Sequence, residues 1–188
     1  DARQLIERLR GKRGEFTYAT SGIGSISHLA VEMLALDLES SFIHVPYRSG
    51  AETMRGLQRG DGQFSFAVLA AATGSVRDGL LQGLAVTSRD RFPGFPDIPT
   101  MGEVLPGYDI VTWNMILAPP GLQPQIATAL NRALVATVAE PEVANRLLIN
   151  GLVPWAGENT PERTRTFHSE EVARFRAIVE RTGVRLDP

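Results

Sequence analysis

Cysteine is absent from the 188 residues, which excludes disulfides and thiolate metal sites while leaving the compartment open. Long apolar runs are missing as well. No stretch approaches the roughly 20 apolar residues of a membrane-crossing helix, and the opening "DARQLIERLRGKRG" is a charged helical segment without a signal-peptide apolar core. The expectation is that any export signal lies outside this sequence. Basic tracts are lacking, and a net charge of -2 argues against nucleic acid or anionic membrane as the main partner. His28, His44 and His168 have no metal-ligand spacing and no carboxylate cluster beside them, so neither a metal nor any other cofactor is expected.

What remains is ordinary globular composition, 43% apolar and 21% charged, enough for one sizeable core or two small lobes. Helix and strand signals alternate, which predicts an α/β fold with parallel strands joined by crossover helices. Strands are expected at Phe16 to Ala19, Ser41 to Val45, Gly62 to Ala70 (running into a loop) and Leu81 to Ser88, with a short helix over Ala51 to Gly60. "RFPGFPDIPTMGEVLPG" carries four prolines and reads as a loop with at most one helical turn after Thr100. Tyr108 to Gly121 reads as a long extended run crossing between two lobes. The tail is helical, with Pro124, Pro141 and Pro161 marking first turns and Thr160 a cap. The apolar faces Ile126-Leu130-Leu134-Val138 and Phe167-Val172-Phe175-Val179 need a sheet to pack on, and only "LVPWA" (Leu152 to Ala156) and the crossing run lie nearby to supply one.

The stretch "YATSGIGSISHLA" (Tyr18 to Ala30) reads as strand, glycine loop, helix. Gly22 and Gly24 permit positive φ, Ser25 or Ser27 can cap the helix, and open N–H groups at its start suit an anion. With no Lys or Arg in the loop, a carboxylate fits better than a phosphate. The loop has no third glycine of a dinucleotide fingerprint, no Gly-Lys-Ser/Thr and no Gly-x-Ser-x-Gly. Turn formation and capping alone would explain the same residues.

Four pieces in order, "YATSGIGSISHLA", "HVPYRSG", "GLAVTSRDRFPGFPDIPTMGEVLPGYDIVTWNMILAPPGLQPQI" and "TPERTRTFHSEEVARFRAIVERTGV", resemble the solute receptors of tripartite tricarboxylate transporters, the TctC or Bug family. The resemblance covers essentially the whole chain. It implies a periplasmic-binding-protein-like (type II) α/β lobe, its parallel-rich sheet flanked by helices, plus the C-terminal part of the other lobe. It further implies a periplasmic receptor that captures a small carboxylate (a di- or tricarboxylate, amino acid or aromatic acid) and delivers it to membrane permease subunits. Residues 1–14 would be a remnant of the lobe I linker helix, 15–111 the ligand-binding lobe II, and 112–188 the crossover strand and helical part of lobe I, the N-terminal half of lobe I being absent. Such a chain is expected to self-associate through its uncovered C-terminal faces. In the family a second-lobe loop holds a ligand carboxylate, and it corresponds to Thr20, Ser21, Gly22, Ile23, Gly24 and Ser25. The family's common aspartate near Ser65 or Phe66 is lacking here.

Among these residues Ser21 and Ser25 are the best polar contacts for a carboxylate. Tyr47 could face the cleft or be a packing tyrosine, and Arg48 could attract an acid or be solvated. His28 reads as a loop-bracing residue, and His44 as a hydrogen-bonded strand histidine. Two other readings stand beside the receptor: the effector-binding domain of a regulator, which would need a DNA-binding helix-turn-helix not seen here, and a serine hydrolase, which lacks a recognisable base.

Overall fold

The computed structural model describes residues 1–185, so the last three positions of the 112–188 segment lie outside the described residues. The chain forms two compact units, residues 1–112 with the chain end from Ile178, and Trp113–Ala177.

In the first unit, helix α1 (Ala2–Leu9) starts from a reciprocal cap. The Asp1 side chain accepts the Gln4 N–H, and the Gln4 side chain returns to the Asp1 amine. Its Ala2, Ile6 and Leu9 are buried, the i, i+4, i+7 stripe of an amphipathic helix. Strand β1 (Arg13–Thr20) pairs in parallel with β2 (Ser41–Pro46), in the register Thr17 to Ile43 through Thr20 to Pro46. Helix α2 (Ile26–Asp37) connects them and is apolar nearly all round, with Leu29, Ala30, Val31, Leu34 and Ala35 buried. Each large apolar side chain so buried stabilises the fold by about 1.5–3 kcal/mol. Helix α3 (Gly50–Arg59) is capped by Ser49 and stopped by Gly60 in the left-handed region at φ 84°. Tyr108 ties a distant segment to this core by donating its hydroxyl to the Ala30 carbonyl at 2.6 Å.

Two expected strands differ from the structure. Residues 62–68 run beside β1 on the edge away from β2, but only a Tyr18–Phe64 bridge and two backbone bonds join them, Ala19 N–H to Phe64 and Gln63 N–H to Thr17. From Leu69 the chain is helical: α4 (Leu69–Arg77) replaces the end of the expected strand and the loop after it, its alanine-rich sequence favouring a helix. The Leu81 to Ser88 stretch is reduced to a Val86–Thr100 bridge, because its neighbours are the turn at Thr100 and Ile110 rather than another strand. The single turn after Thr100 is present as a 3-10 turn, Met101–Glu103, closed by a Thr100–Glu103 capping box.

In the second unit, α5 (Pro124–Ala139) and α6 (Pro141–Ile149) each begin at proline, and α7 (Pro161–Thr182) begins there too and runs on into the first unit. No strand occurs among its described residues: of the expected Tyr108 to Gly121 run only the Ile110 amide, in the first unit, bonds to the backbone of another segment, at the Thr87 carbonyl, and the rest, like Leu152 to Ala156, is irregular. An aromatic cluster holds the unit. Trp113 and Trp155 pack edge-on against Phe167 at 5.7 and 5.3 Å, and the Trp113 indole N–H donates to Glu171 at 3.1 Å. Neither α5 nor α6 buries a residue, and Ile126 and Leu130 on the expected apolar face are exposed.

Candidate ligand-binding site

Three helices of the first unit direct their N-terminal turns at one cavity of about 190 Å³. Ser27 comes from the first turn of α2, Gly50 and Thr53 from that of α3, and Ala70 and Ala71 from that of α4. Ser21, Met54, Ser65, Ala67 and Val68 complete the wall. The contact is close: a Cβ on Gly50 would lie 2.8 Å from the Ala71 Cβ, so only glycine lets α3 and α4 start this near each other. The backbone amides of Ile26, Ser27, Gly50, Ala51, Leu69 and Ala70 have no hydrogen-bond partner among the described residues. Converging helix ends of this kind concentrate positive potential without a charged side chain. The Ser65 hydroxyl oxygen is buried without a partner, and no charged side chain lines the cavity.

The glycine loop forms one rim, and its own donors are largely engaged. The Ser21 amide donates to the Ser27 hydroxyl, the Gly22 amide to the Thr20 hydroxyl, the Gly24 amide to His28 Nδ1, and the Ser25 amide to the Gly22 carbonyl. Ile23 keeps an unpartnered amide and a half-exposed side chain. Ser25 turns inward, donating to the Gly22 carbonyl at 2.6 Å while accepting the His28 amide as the α2 cap. Apart from the Ile23 amide, the open donors therefore sit on the first turns of the helices rather than on the loop. Gly22 at φ 127° and Gly24 at φ 73° make the fold-back possible.

Under the loop lies a stack of three rings. Tyr18 and His44 are 4.8 Å apart and His44 and His28 4.3 Å, nearly parallel in both cases. His44 Nε2 is 2.6 Å from the Thr20 hydroxyl, and Tyr18 donates to Glu32 at 2.6 Å. Burial holds both histidines below the ordinary imidazole range: His28, where Glu32 opposes the shift in part, and His44, down to about 4 with help from its neighbour. Burial and the Glu32 carboxylate push the Tyr18 phenol up. Both histidines are neutral at pH 7.

Tyr47 faces elsewhere. Its ring lies over Gly56, where any Cβ would overlap it, and its hydroxyl donates to Asp61, which also pairs with Arg59. The Asp61 bond pushes the Tyr47 phenol up, and the same contacts hold the Asp61 carboxyl down. Arg48 is exposed, with its backbone amide on Glu52. Of the expected residues only Ser21 lines the cavity; Thr20, Gly22, Gly24 and Ser25 shape its rim from behind, and Tyr47 and Arg48 are not part of the wall. Thr53 and the α4 turn carry no local mark in the sequence, since Val68 caps α4 without a side-chain bond, whereas Ser65 was marked only by the family aspartate that is lacking near it. Ser49, which caps α3, is the signal that could have set that helix's start at Gly50 rather than the expected Ala51. No group of three or more His, Cys, Asp or Glu suited to a metal occurs among the described residues.

The model of the tripartite tricarboxylate transporter family receptor, TctC, matches residues 1–184. The chain belongs to this family. BugT of Bordetella pertussis is 30% identical over 183 residues, covering 97% of this chain and 56% of that protein. A Pseudomonas sp. (strain P51) protein from the tcbD-tcbE intergenic region is 28% identical over 95% of this chain and 53% of its own length. Among solved structures, R. palustris Rpa4515 with adipate superposes with a TM-score of 0.84 at 28% identity, over 96% of this chain and 60% of that one. MatC of Rhodopseudomonas palustris with bound malate gives 0.74 at 25% identity, over 94% and 60%. The chain thus spans little more than half the length of these relatives. Its fold is that of periplasmic binding proteins, α/β with a parallel sheet flanked by helices.

Proposed function

We propose that this chain is part of a periplasmic receptor that captures a small carboxylate and presents it to the permease subunits of a tripartite tricarboxylate transporter. Residues 15–111 act as the ligand-binding lobe, 1–14 as linker helix, and 112–188 as part of the other lobe. The observation that carries the reading is the meeting of three helix N-termini at one small cavity with hydroxyls and no fixed charge. Such a site holds an anion through N–H donors alone, and its volume is well below the roughly 300–1,000 Å³ of a drug-sized pocket. It suits one end of a short acid, with Met54, Ala67 and Val68 beside the methylenes. Thr20, Ser21, Gly22, Ile23, Gly24 and Ser25 hold the rim in register, and Arg48 adds long-range attraction from the surface.

Two relatives support the ligand class, since Rpa4515 was solved with adipate and MatC with malate. The receptor role is one of binding without turnover: His28 Nδ1 accepts from Gly24, His44 Nε2 meets Thr20, and neither ring is hydrogen-bonded to the Ser21, Ser25 or Ser27 hydroxyl. Exposed Ile126 and Leu130, with Trp155, favour self-association of the isolated chain, which sedimentation at micromolar concentration detects as a dimer or larger species. Calorimetry with adipate, malate and a diamine of similar length tests the ligand class. Saturable heat is expected with the acids alone; equal binding of the diamine, or no preference for acids at millimolar concentration, would sink it.

A further inference from the structure

The stacked histidines have no role in the reading above, yet they hold the rim of the proposed carboxylate site. His28 is nine-tenths buried and accepts the Gly24 amide through Nδ1 at 3.1 Å, so its neutral form carries the proton on Nε2, which lies 3.9 Å from Glu32. His44 meets the Thr20 hydroxyl, and that hydroxyl in turn accepts the Gly22 amide at 3.2 Å. Two successive glycines of the loop thus depend on two imidazoles 4.3 Å apart. The titratable groups facing the rings are Tyr18 from β1, His44 from β2, and His28 and Glu32 from α2.

We propose that His28 and His44 are positioning residues for the glycine loop, and that protonation of His28 releases the loop and weakens carboxylate binding as the pH falls. The inference rests on the carboxylate site proposed above. A proton on Nδ1 turns an acceptor into a donor facing the Gly24 amide, so that bond is lost outright. The His44 bond survives in either tautomer, because Thr20 can donate or accept. The first proton therefore goes to His28, beside the Glu32 carboxylate, and the charge it brings disfavours a second on the stacked His44. Burial delays the event to pH values below the ordinary imidazole range, so the site is intact at neutral pH and fails in acid.

The test is adipate affinity from about pH 7.5 to about pH 5 in the wild type and in His28→Asn, whose side-chain carbonyl can accept the Gly24 amide but cannot be protonated. Below the His28 pKa the wild type is expected to lose affinity with a slope approaching about tenfold per pH unit, the limit for one linked proton. Measured against its own affinity at about pH 7.5, His28→Asn should lose on acidification only what protonation of adipate itself removes, a loss common to both proteins. A wild-type profile no steeper than that of His28→Asn would overturn the inference while leaving carboxylate binding intact. If adipate fails to bind at any pH, the ligand reading fails and the brace is judged by NMR. The Gly24 amide resonance must then move with the His28 ring titration, and a Gly24 resonance that stays put as the ring titrates would refute it.

Discussion

Replacing Gly50 with alanine should destabilise the first unit, although glycine-to-alanine changes in helices usually help. The added Cβ would sit 2.8 Å from the Ala71 Cβ, about 1 Å inside ordinary contact. Helices α3 and α4 must then move apart at their N-termini. Overpacking of this kind costs about 1–3 kcal/mol, against a gain of at most about 1 kcal/mol from the lower chain entropy of alanine. The net expectation is a loss of about 1 kcal/mol. Ala71→Gly alone costs about 1 kcal/mol in helix propensity. The double variant removes the clash, so it should be no less stable than Ala71→Gly, a coupling of about 1–3 kcal/mol that favours the pair. Urea melts followed by circular dichroism read this as a fall in midpoint for Gly50→Ala and a recovery in the double variant, at constant m-value. Additive losses, or a stabilised Gly50→Ala, would show that the two helix starts do not meet and would remove the wall they share.

Other consequences can be checked separately. His44 is held at about 4 in the fold against about 6.5 in the unfolded chain, so the unfolded state binds more protons between these values. Its contribution is whole above about pH 6.5 and lost by about pH 4; allowing for partial solvent screening, it amounts to about 1–3 kcal/mol. Stability curves of the wild type and His44→Asn should converge by that amount on acidification, and parallel curves would contradict the assignment. Tyr108→Phe removes a buried bond to the Ala30 carbonyl and should cost about 0.5–1.5 kcal/mol in urea melts, while no change would mean the hydroxyl is satisfied otherwise. Leu69→Pro deletes an amide at the start of α4, where Val68 already has the φ and ψ that precede proline. Helix content should hold while adipate affinity falls about tenfold, as for loss of one charge-assisted bond; unchanged affinity would place the acid elsewhere.

Much of the fold was legible where a signal is local. Ser25 before an apolar helix, proline at the first turns of α5, α6 and α7, and Thr100 three residues ahead of Glu103 all mark element ends through bonds made within four residues, and the structure has each of them. Elements set by distant partners were not legible. Phe64 to Val68 has a strand's composition, yet meets only β1, and α4 begins with no cap to announce it. The same division runs through the site. The glycine loop is visible as a motif, but its amides are satisfied by Ser27 and His28 from the next element, and the cavity wall comes from α3, α4 and Ser65, whose meeting depends on tertiary packing. Tyr47 was open to either a cleft or a packing role from the sequence, and what places its ring over Gly56 is the missing side chain there, nine residues away.

The central claim is that a carboxylate is held by the first-turn amides around one cavity. An amide-resolved NMR titration of the chain with adipate, carried into the millimolar range to capture weak binding, tests it most directly. Saturable shifts are predicted for Ser27, Gly50, Ala51, Leu69, Ala70 and the Ser65 amide, with downfield movement of the donors, while Arg59 and Asp61 beside Tyr47 stay unmoved. Shifts centred on Tyr47 and Asp61, or none that saturate at these helix starts, would contradict the account.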